Sequence, residues 1–164
     1  MIKDKETFLL LLDEHKGIII KICNAYCQSG DDKKDLSQEI VYNLWKAFAA
    51  YTPDYKFSTW LYRVALNVAI SYYRQEKRSL QYSPYDESLI VFNGEEYNGE
   101  LEENLLLLQQ FIFELKEIDK SIMLLYLDDK SYHEIAEITG ISATNVATKI
   151  NRIKTNLKAK FSNH

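Results

Sequence analysis

Tyr51-Thr52-Pro53-Asp54-Tyr55-Lys56-Phe57, running into Ser58-Thr59-Trp60-Leu61-Tyr62-Arg63-Val64-Ala65 and on to Arg78, is the stretch around which the chain is organised. Pro53 ends any preceding helix, because its ring removes an N–H and restrains the residue before it. Ser58 is the expected N-cap of the helix that follows. In that helix Leu61, Val64, Ala65, Val68 and Tyr72 recur at helical spacing and predict a core-facing stripe. Arg63, Asn67, Arg74 and Arg78 fall on another face, polar and basic. Ten of the 21 aromatic residues lie between Tyr42 and Tyr73, so rings are concentrated where positive charge gathers. Such rings either fill a core or stack on unpaired bases while neighbouring cations hold phosphate. Both readings stand for Tyr55, Phe57 and Trp60.

A chain of 164 residues suffices for one domain or two small ones. No apolar run approaches the roughly 20 residues that span a bilayer, so no membrane insertion is expected. Met1 to Glu6 is polar and of mixed charge, with no apolar signal segment after it, and a cytoplasmic location is expected. Cys23 and Cys27 stand one helical turn apart without a second pair or a histidine set. They read as two small buried thiols in a reducing compartment, and no metal or cofactor is expected. His15 and His133 have no carboxylate, Ser or Cys at a spacing that supports catalysis, and read as surface histidines. There is no phosphate-binding glycine loop either, so the chain is not expected to be an enzyme.

The net charge of −4 conceals strong local differences. Residues 56–78 carry Lys56, Arg63, Arg74, Lys77 and Arg78 against Glu76, a local net of +4. Residues 142–164 carry Lys149, Arg152, Lys154, Lys158 and Lys160 without an acid, a local net of +5. Between them residues 79–104 hold seven acids and no base. Because salt screens charges beyond about 8–10 Å, these local fields matter more than the total.

Outward from the central stretch, the pattern is helical throughout. A first helix is expected from Asp4 to Gln28, with Gly17 either bending it or admitting a close neighbour. Gly30-Asp31-Asp32 marks a turn, and a second helix is expected from about Asp32 to Ala50 with Leu36, Ile40, Leu44, Ala47 and Phe48 buried. Asp35, Gln38, Glu39 and Tyr42 share one exposed face of it, which is either a solvated stripe or a docking surface. Trp45 also falls away from the apolar centre. Residues 79–99, with Pro84, Asn93-Gly94 and Asn98-Gly99, read as a linker. As random coil such a tether spans about 25 Å root-mean-square, and roughly 70 Å when stretched. Its acids Asp86, Glu87, Glu95 and Glu96 serve either as a plain solvated tether or as an occupant of a basic groove, and Leu89 to Phe92 is an apolar patch.

Beyond the linker an amphipathic segment from Gly99 to Lys116 places Leu101, Leu105, Leu108, Ile112 and Leu115 on one side. A shorter helix is expected from Asp119 to Leu127, capped by Asp119. Ser131 and Glu134 make a capping box for a helix through Ile138. Thr139-Gly140-Ile141 forms a tight turn, and Ser142 caps a last helix with Val146, Ile150, Ile153, Leu157 and Phe161 in one stripe. Helix, glycine-bearing turn, helix is the helix-turn-helix pattern. It leaves Thr144, Asn145, Thr148, Lys149 and Arg152 outward, where such a helix meets base edges and phosphates of the major groove.

Asp35-Leu36-Ser37-Gln38-Glu39, then Trp45, Phe48 and Tyr51, then Phe57 through Ala65 and Asn67, resemble region two of bacterial RNA polymerase sigma factors of the extracytoplasmic-function group. Leu115 through Leu157, with Ser131-Tyr132-His133-Glu134-Ile135-Ala136, resemble their region four. The resemblance implies an all-α protein of two small helical domains, residues 1–78 and 100–164, joined by a flexible acidic linker over 79–99 that threads the polymerase's RNA channels. It implies a dissociable subunit that directs core RNA polymerase to promoters. Asp35, Gln38, Glu39 and Tyr42 would then dock on the polymerase. Lys56, Phe57, Ser58, Thr59, Trp60, Arg63, Asn67 and Arg74 would hold the melted strand of the −10 element. Ser142, Thr144, Asn145, Thr148, Lys149 and Arg152 would read the −35 duplex, and an anti-sigma factor is implied as a further partner. Two departures stand out: Ala147-Thr148 where many members carry Lys and Ser, and Ile118-Asp119 where relatives often have Leu-Pro. A stand-alone helix-turn-helix regulator is the rival reading, and it leaves the Asp35 face and the aromatic loop without a purpose.

Overall fold

The computed structural model describes residues 3–80 and 100–162, with side chains from 3 to 76 and from 101 to 162. The described residues are helical and contain no strand. The chain divides into two compact units, residues 3–80 belonging to the first and 100–162 to the second.

The first unit holds α1 (Lys5–Glu14), α2 (Lys16–Tyr26), α3 (Gly30–Phe48) and α4 (Phe57–Leu80). The single helix expected over Asp4–Gln28 is two. Asp4 caps α1 by accepting the Thr7 N–H at 2.8 Å. The chain then breaks at His15 (φ −117°, ψ 12°), whose Nδ1 lies 2.8 Å from the Leu11 carbonyl oxygen. A continuous helix of that length would run about 37 Å, longer than this small core. The break lets Phe8 turn onto Trp45 and Phe48 of α3 while Ile18, Ile19 and Ile22 enter the interior. Gly17 is not the hinge, and a side chain there would meet nothing, so it admits no close neighbour.

Helix α3 starts two residues earlier than its turn-like Gly30-Asp31-Asp32 suggests, because Ser29 accepts the Asp32 N–H at 3.0 Å and caps it. Its Leu36, Ile40, Leu44 and Phe48 are buried as the spacing predicts, whereas Ala47 is half-buried. Helix α4 starts at Phe57, so Ser58 lies inside the first turn rather than capping it. Its buried stripe is also rotated from expectation. Phe57, Leu61, Tyr62, Ala65, Leu66 and Ala69 are inside, whereas Val64, Val68 and Tyr72 are half-buried. Both α2 and α3 pack against α4, which widens its buried face to more than one stripe. Burying a side chain such as Leu36 or Leu61 is worth about 1.5–3 kcal/mol, so these rows hold the unit together. Cys23 and Cys27 are buried free thiols, pushed up by burial to about 11 and about 12.

Helix α4 carries Ser79 and Leu80, the first two residues of the expected linker. Residues 81–99, with Pro84, Leu89 to Phe92 and the four named acids, lie outside the described residues, as do the side chains of Lys77 and Arg78.

The second unit holds α5 (Glu100–Glu114), α6 (Glu117–Leu127), α7 (Tyr132–Thr139) and α8 (Ala143–Ser162). Its core is Ile122, Leu125, Ile135, Val146, Ile150 and Ile153. Of the stripe expected on α5, Ile112 is buried beside Phe111, whereas Leu101 and Leu105 are exposed. Asp119 does not cap α6: that position is Lys116, and Asp119 sits in the first turn, largely buried. Ser131 and Glu134 form the capping box of α7 as expected, and Gly140 ends the helix at φ 81°, the left-handed region. Ser142 accepts the Asn145 N–H at 3.1 Å and caps α8. The turn between α7 and α8 is thus made by Gly140 and closed by the Ser142 cap.

Candidate polymerase and nucleic-acid surfaces

On the first unit, Asp35, Gln38, Glu39 and Tyr42 are all exposed, as their spacing on α3 predicts. With Asn43 they form one wall of an open groove whose other wall is Asn67, Val68, Ser71, Tyr72 and Gln75 of α4. Asn67, expected from sequence on the basic stripe, therefore lines the same groove as Asp35, Gln38, Glu39 and Tyr42. At the Asp35 end the field is negative. The Tyr72 hydroxyl donates to Asp32 at 3.4 Å. Burial, reinforced by the charges of Asp32 and Asp35, pushes the Glu76 carboxyl above its usual range. On the other side of Gln38 and Tyr42 lies an apolar hollow lined by Phe8, Leu9, Val41 and Trp45, with Trp45 44 % exposed.

The loop between α3 and α4 is built on a cluster of packed rings. Tyr51 lies 6.1 Å from Phe48, 5.6 Å from Phe57 and 5.1 Å from Trp60, centroid to centroid. Its hydroxyl donates to the Tyr55 carbonyl at 2.9 Å, which fixes the loop's path around Pro53. Phe57 is buried between Tyr51, Trp60 and His15, whose ring is 4.9 Å away. Its ring is therefore engaged in packing at the start of α4, against the residue where α1 gives way to α2. His15 is likewise half-buried rather than a surface residue. Trp60 keeps part of its ring at the surface, and Tyr55, Lys56, Arg63 and Arg74 are exposed, while Ser58 and Thr59 are half-buried. Of the three rings weighed from sequence, Tyr55 is the most exposed, at 49 %, as its place on the loop between Pro53 and Lys56 favours.

On the second unit, Thr144, Asn145, Thr148 and Arg152 are exposed along α8, and Lys149 is half-buried. The Ser142 hydroxyl is engaged as a cap, and Thr148 donates to the Thr144 carbonyl at 3.0 Å. The cations of this helix are not a bare +5. Lys149 and Arg152 lie 3.5 and 3.8 Å from the two carboxylate oxygens of Asp119, and Lys160 pairs with Glu114. Lys154 sits over the Tyr126 ring at 4.5 Å. Acids from α5 and α6 thus offset charge that the sequence segment taken alone presents as unopposed. Asp119 thus pairs with α8 instead of capping α6, a partner two helices away that no local spacing reveals.

Among the described residues no helix is long and apolar enough to cross a membrane, and no group of His, Cys, Asp and Glu forms a metal site. The described residues thus present an open groove edged by Asp35 and Glu39, a ring-braced loop leading into a helix with exposed Arg63 and Arg74, and a capped helix-turn-helix. Residues 11–79 match Sigma-70 region 2, and residues 105–157 match Sigma-70, region 4. The chain is 30% identical over 164 residues to the ECF RNA polymerase sigma-E factor of Escherichia coli (strain K12), covering 92% of this chain and 84% of that one. It is 28% identical over 160 residues to the ECF RNA polymerase sigma factor SigW of Bacillus subtilis (strain 168), covering 91% and 86%. Among solved structures it is similar to the sigma factor RpoE in complex with the anti-sigma factor NepR from Bartonella quintana (TM-score 0.71, 19% identity, 96% of each chain). It is also similar to CnrH in complex with the cytosolic domain of CnrY (TM-score 0.69, 19% identity, 97% and 90%).

The chain belongs to the ECF sigma factors of bacterial RNA polymerase. It is a promoter-directing subunit, and the stand-alone regulator is not favoured.

Proposed function

We propose the following division of labour for this sigma factor, which acts without catalytic chemistry of its own, in the cytoplasm. Residues 1–78 dock on core polymerase through Asp35, Gln38, Glu39 and Tyr42 and hold the melted −10 strand. Residues 100–164 read the −35 duplex, and residues 79–99 tether the two. The strand is held by Lys56 of the preceding loop and by Ser58, Thr59, Arg63 and Arg74 of α4, around the rings of Tyr55 in the loop and Trp60 on the helix. Phe57 supports Trp60 from beneath. Asn67 stands between the docking groove and the basic stripe, so strand capture and polymerase docking share an edge. On α8, Thr144, Asn145 and Thr148 offer short donors and acceptors to base edges, and Lys149 and Arg152 bring charge to the backbone. Ser142 serves this site by fixing the helix start. A partner that holds the chain inactive, of the anti-sigma type named for the Bartonella quintana relative, fits the same exposed surfaces.

The observation that carries this reading is the groove in which Asp35, Gln38, Glu39 and Tyr42 of α3 face Asn67 of α4. Site-specific photocrosslinking tests it. A photoreactive residue in place of Trp60 should crosslink to single-stranded promoter DNA after core polymerase is added and the duplex has opened. One in place of Asn145 should crosslink to upstream duplex. Crosslinking at position 60 to closed duplex without polymerase would refute the division.

A further inference from the structure

Asp119 is the residue that these surfaces leave unexplained. Its side chain is 12% exposed in the first turn of α6, between the chain's turn at Lys116 and the buried Lys120 and Ser121. Oδ1 is 3.5 Å from Lys149 Nζ, and Oδ2 is 3.8 Å from the Arg152 guanidinium. The two cations stand three residues apart on α8 and so share a face, which lets one carboxylate address both. Oδ1 accepts no hydrogen bond from the protein, so charge rather than a directed bond makes the link to Lys149. Such a link is exchangeable. Yet a largely buried carboxylate cannot follow a departing cation into solvent, and stripping it of its counter-charges is costly.

We propose that Asp119 is a specificity-determining positioning residue that acts through Lys149 and Arg152 without touching DNA. On an arbitrary duplex the cations stay with the carboxylate, so they neutralise no phosphate and release no counterion. On a matching duplex, base contacts by Thr144 and Asn145 seat α8 in the groove and bring phosphates close enough to take the cations over. The tether lowers affinity for wrong sequences more than for the right one. This inference rests on the reading of α8 as the DNA-reading helix.

The test uses full-length chain assembled with core polymerase. Two probes are used: a mixed-sequence duplex, and a duplex enriched from a randomised pool by the same holoenzyme. Affinity is followed against salt. Asp119→Asn should steepen the mixed-sequence slope of log K on log salt by about 0.9 for each cation freed, roughly a threefold larger change per cation over a fourfold salt range. The ratio of enriched to mixed-sequence affinity should fall. Lys149→Gln alone should leave the mixed-sequence slope unaltered, but should flatten it in the Asp119→Asn background. Parallel loss of both affinities at constant slope would show a merely structural aspartate and overturn the proposal. A mixed-sequence slope flattened by about 0.9 in Lys149→Gln would overturn it as well, and that variant serves even if Asp119→Asn folds poorly. Failure of the unmodified holoenzyme to enrich any upstream sequence would instead refute the role of α8 itself, and the inference with it.

Discussion

The ring centroids of Phe57 and Trp60 lie 5.4 Å apart, with Phe57 buried and Trp60 partly at the surface. Neighbours in one cluster therefore differ in exposure, and packing consumes one ring while leaving the other partly open. Phe57→Ala should cost about 3–5 kcal/mol of stability, as for other large buried aromatics, and lower core binding and promoter opening together. Trp60→Ala should impair opening much more than core binding, since a base stacked on a ring is worth about 1–3 kcal/mol. Permanganate footprinting beside a core pull-down separates the two, and equal losses from Trp60→Ala would count against a strand-holding ring.

Asp35, Gln38 and Glu39 touch the groove and not the core. Their combined replacement by Ala should weaken core polymerase binding by roughly tenfold or more, within the range set by a few dominant interface residues. Circular dichroism should show helicity unchanged. Undiminished affinity for core would move the docking surface elsewhere.

At Gly140 the cost is conformational alone. The backbone stands at φ 81°, yet an added Cβ would meet nothing within 4 Å. Gly140→Ala should destabilise the second unit by about 1–2 kcal/mol, the strain of a side chain in the left-handed region. Denaturant titration should detect it, whereas Gly17→Ala, also in open space but helical, should stabilise.

Glu76 gives a pH dependence whose sign follows from its environment. Burial first, then Asp32 and Asp35, hold its pKa above the usual value. The folded protein therefore binds this proton more tightly than the unfolded chain does. The stability this provides is complete below the unfolded pKa and is lost as pH rises through the folded one. Ionised Glu76 is thus unfavourable at neutral pH. Glu76→Gln should raise the melting temperature of the first unit by a few degrees at pH 7, with the gain vanishing below about pH 4. A gain that persists in acid would assign the effect to packing.

What could be read from sequence was whatever a few neighbouring residues decide. Ser131 with Glu134, Gly140 and Ser142 signal their caps and turn within four positions, and all appear as expected. The stripe of Leu36, Ile40 and Leu44 is equally local, because its four-residue spacing alone puts the three on one face of α3. What escaped was decided by packing across the fold. The break at His15 exists because Phe8 and Ile18 need different directions, and no turn residue marks it. Tyr62 is fully buried because α4 serves two neighbours, so a single stripe understates its interior face. Phe57, expected either in the core or as a ring for bases, and Asp119, expected as a cap, both face inward. The site residues were legible as types on faces, and their partners were not.

The central claim is that this chain makes transcription by core polymerase depend on promoter sequence. Run-off transcription measures that directly, with purified core, a template pool and the chain as the only variable. Defined transcripts should appear when the chain is added and be lost with Trp60→Ala or with the Asp35, Gln38 and Glu39 replacements. If the chain binds duplex tightly on its own and leaves transcription by core polymerase unchanged, the account is contradicted.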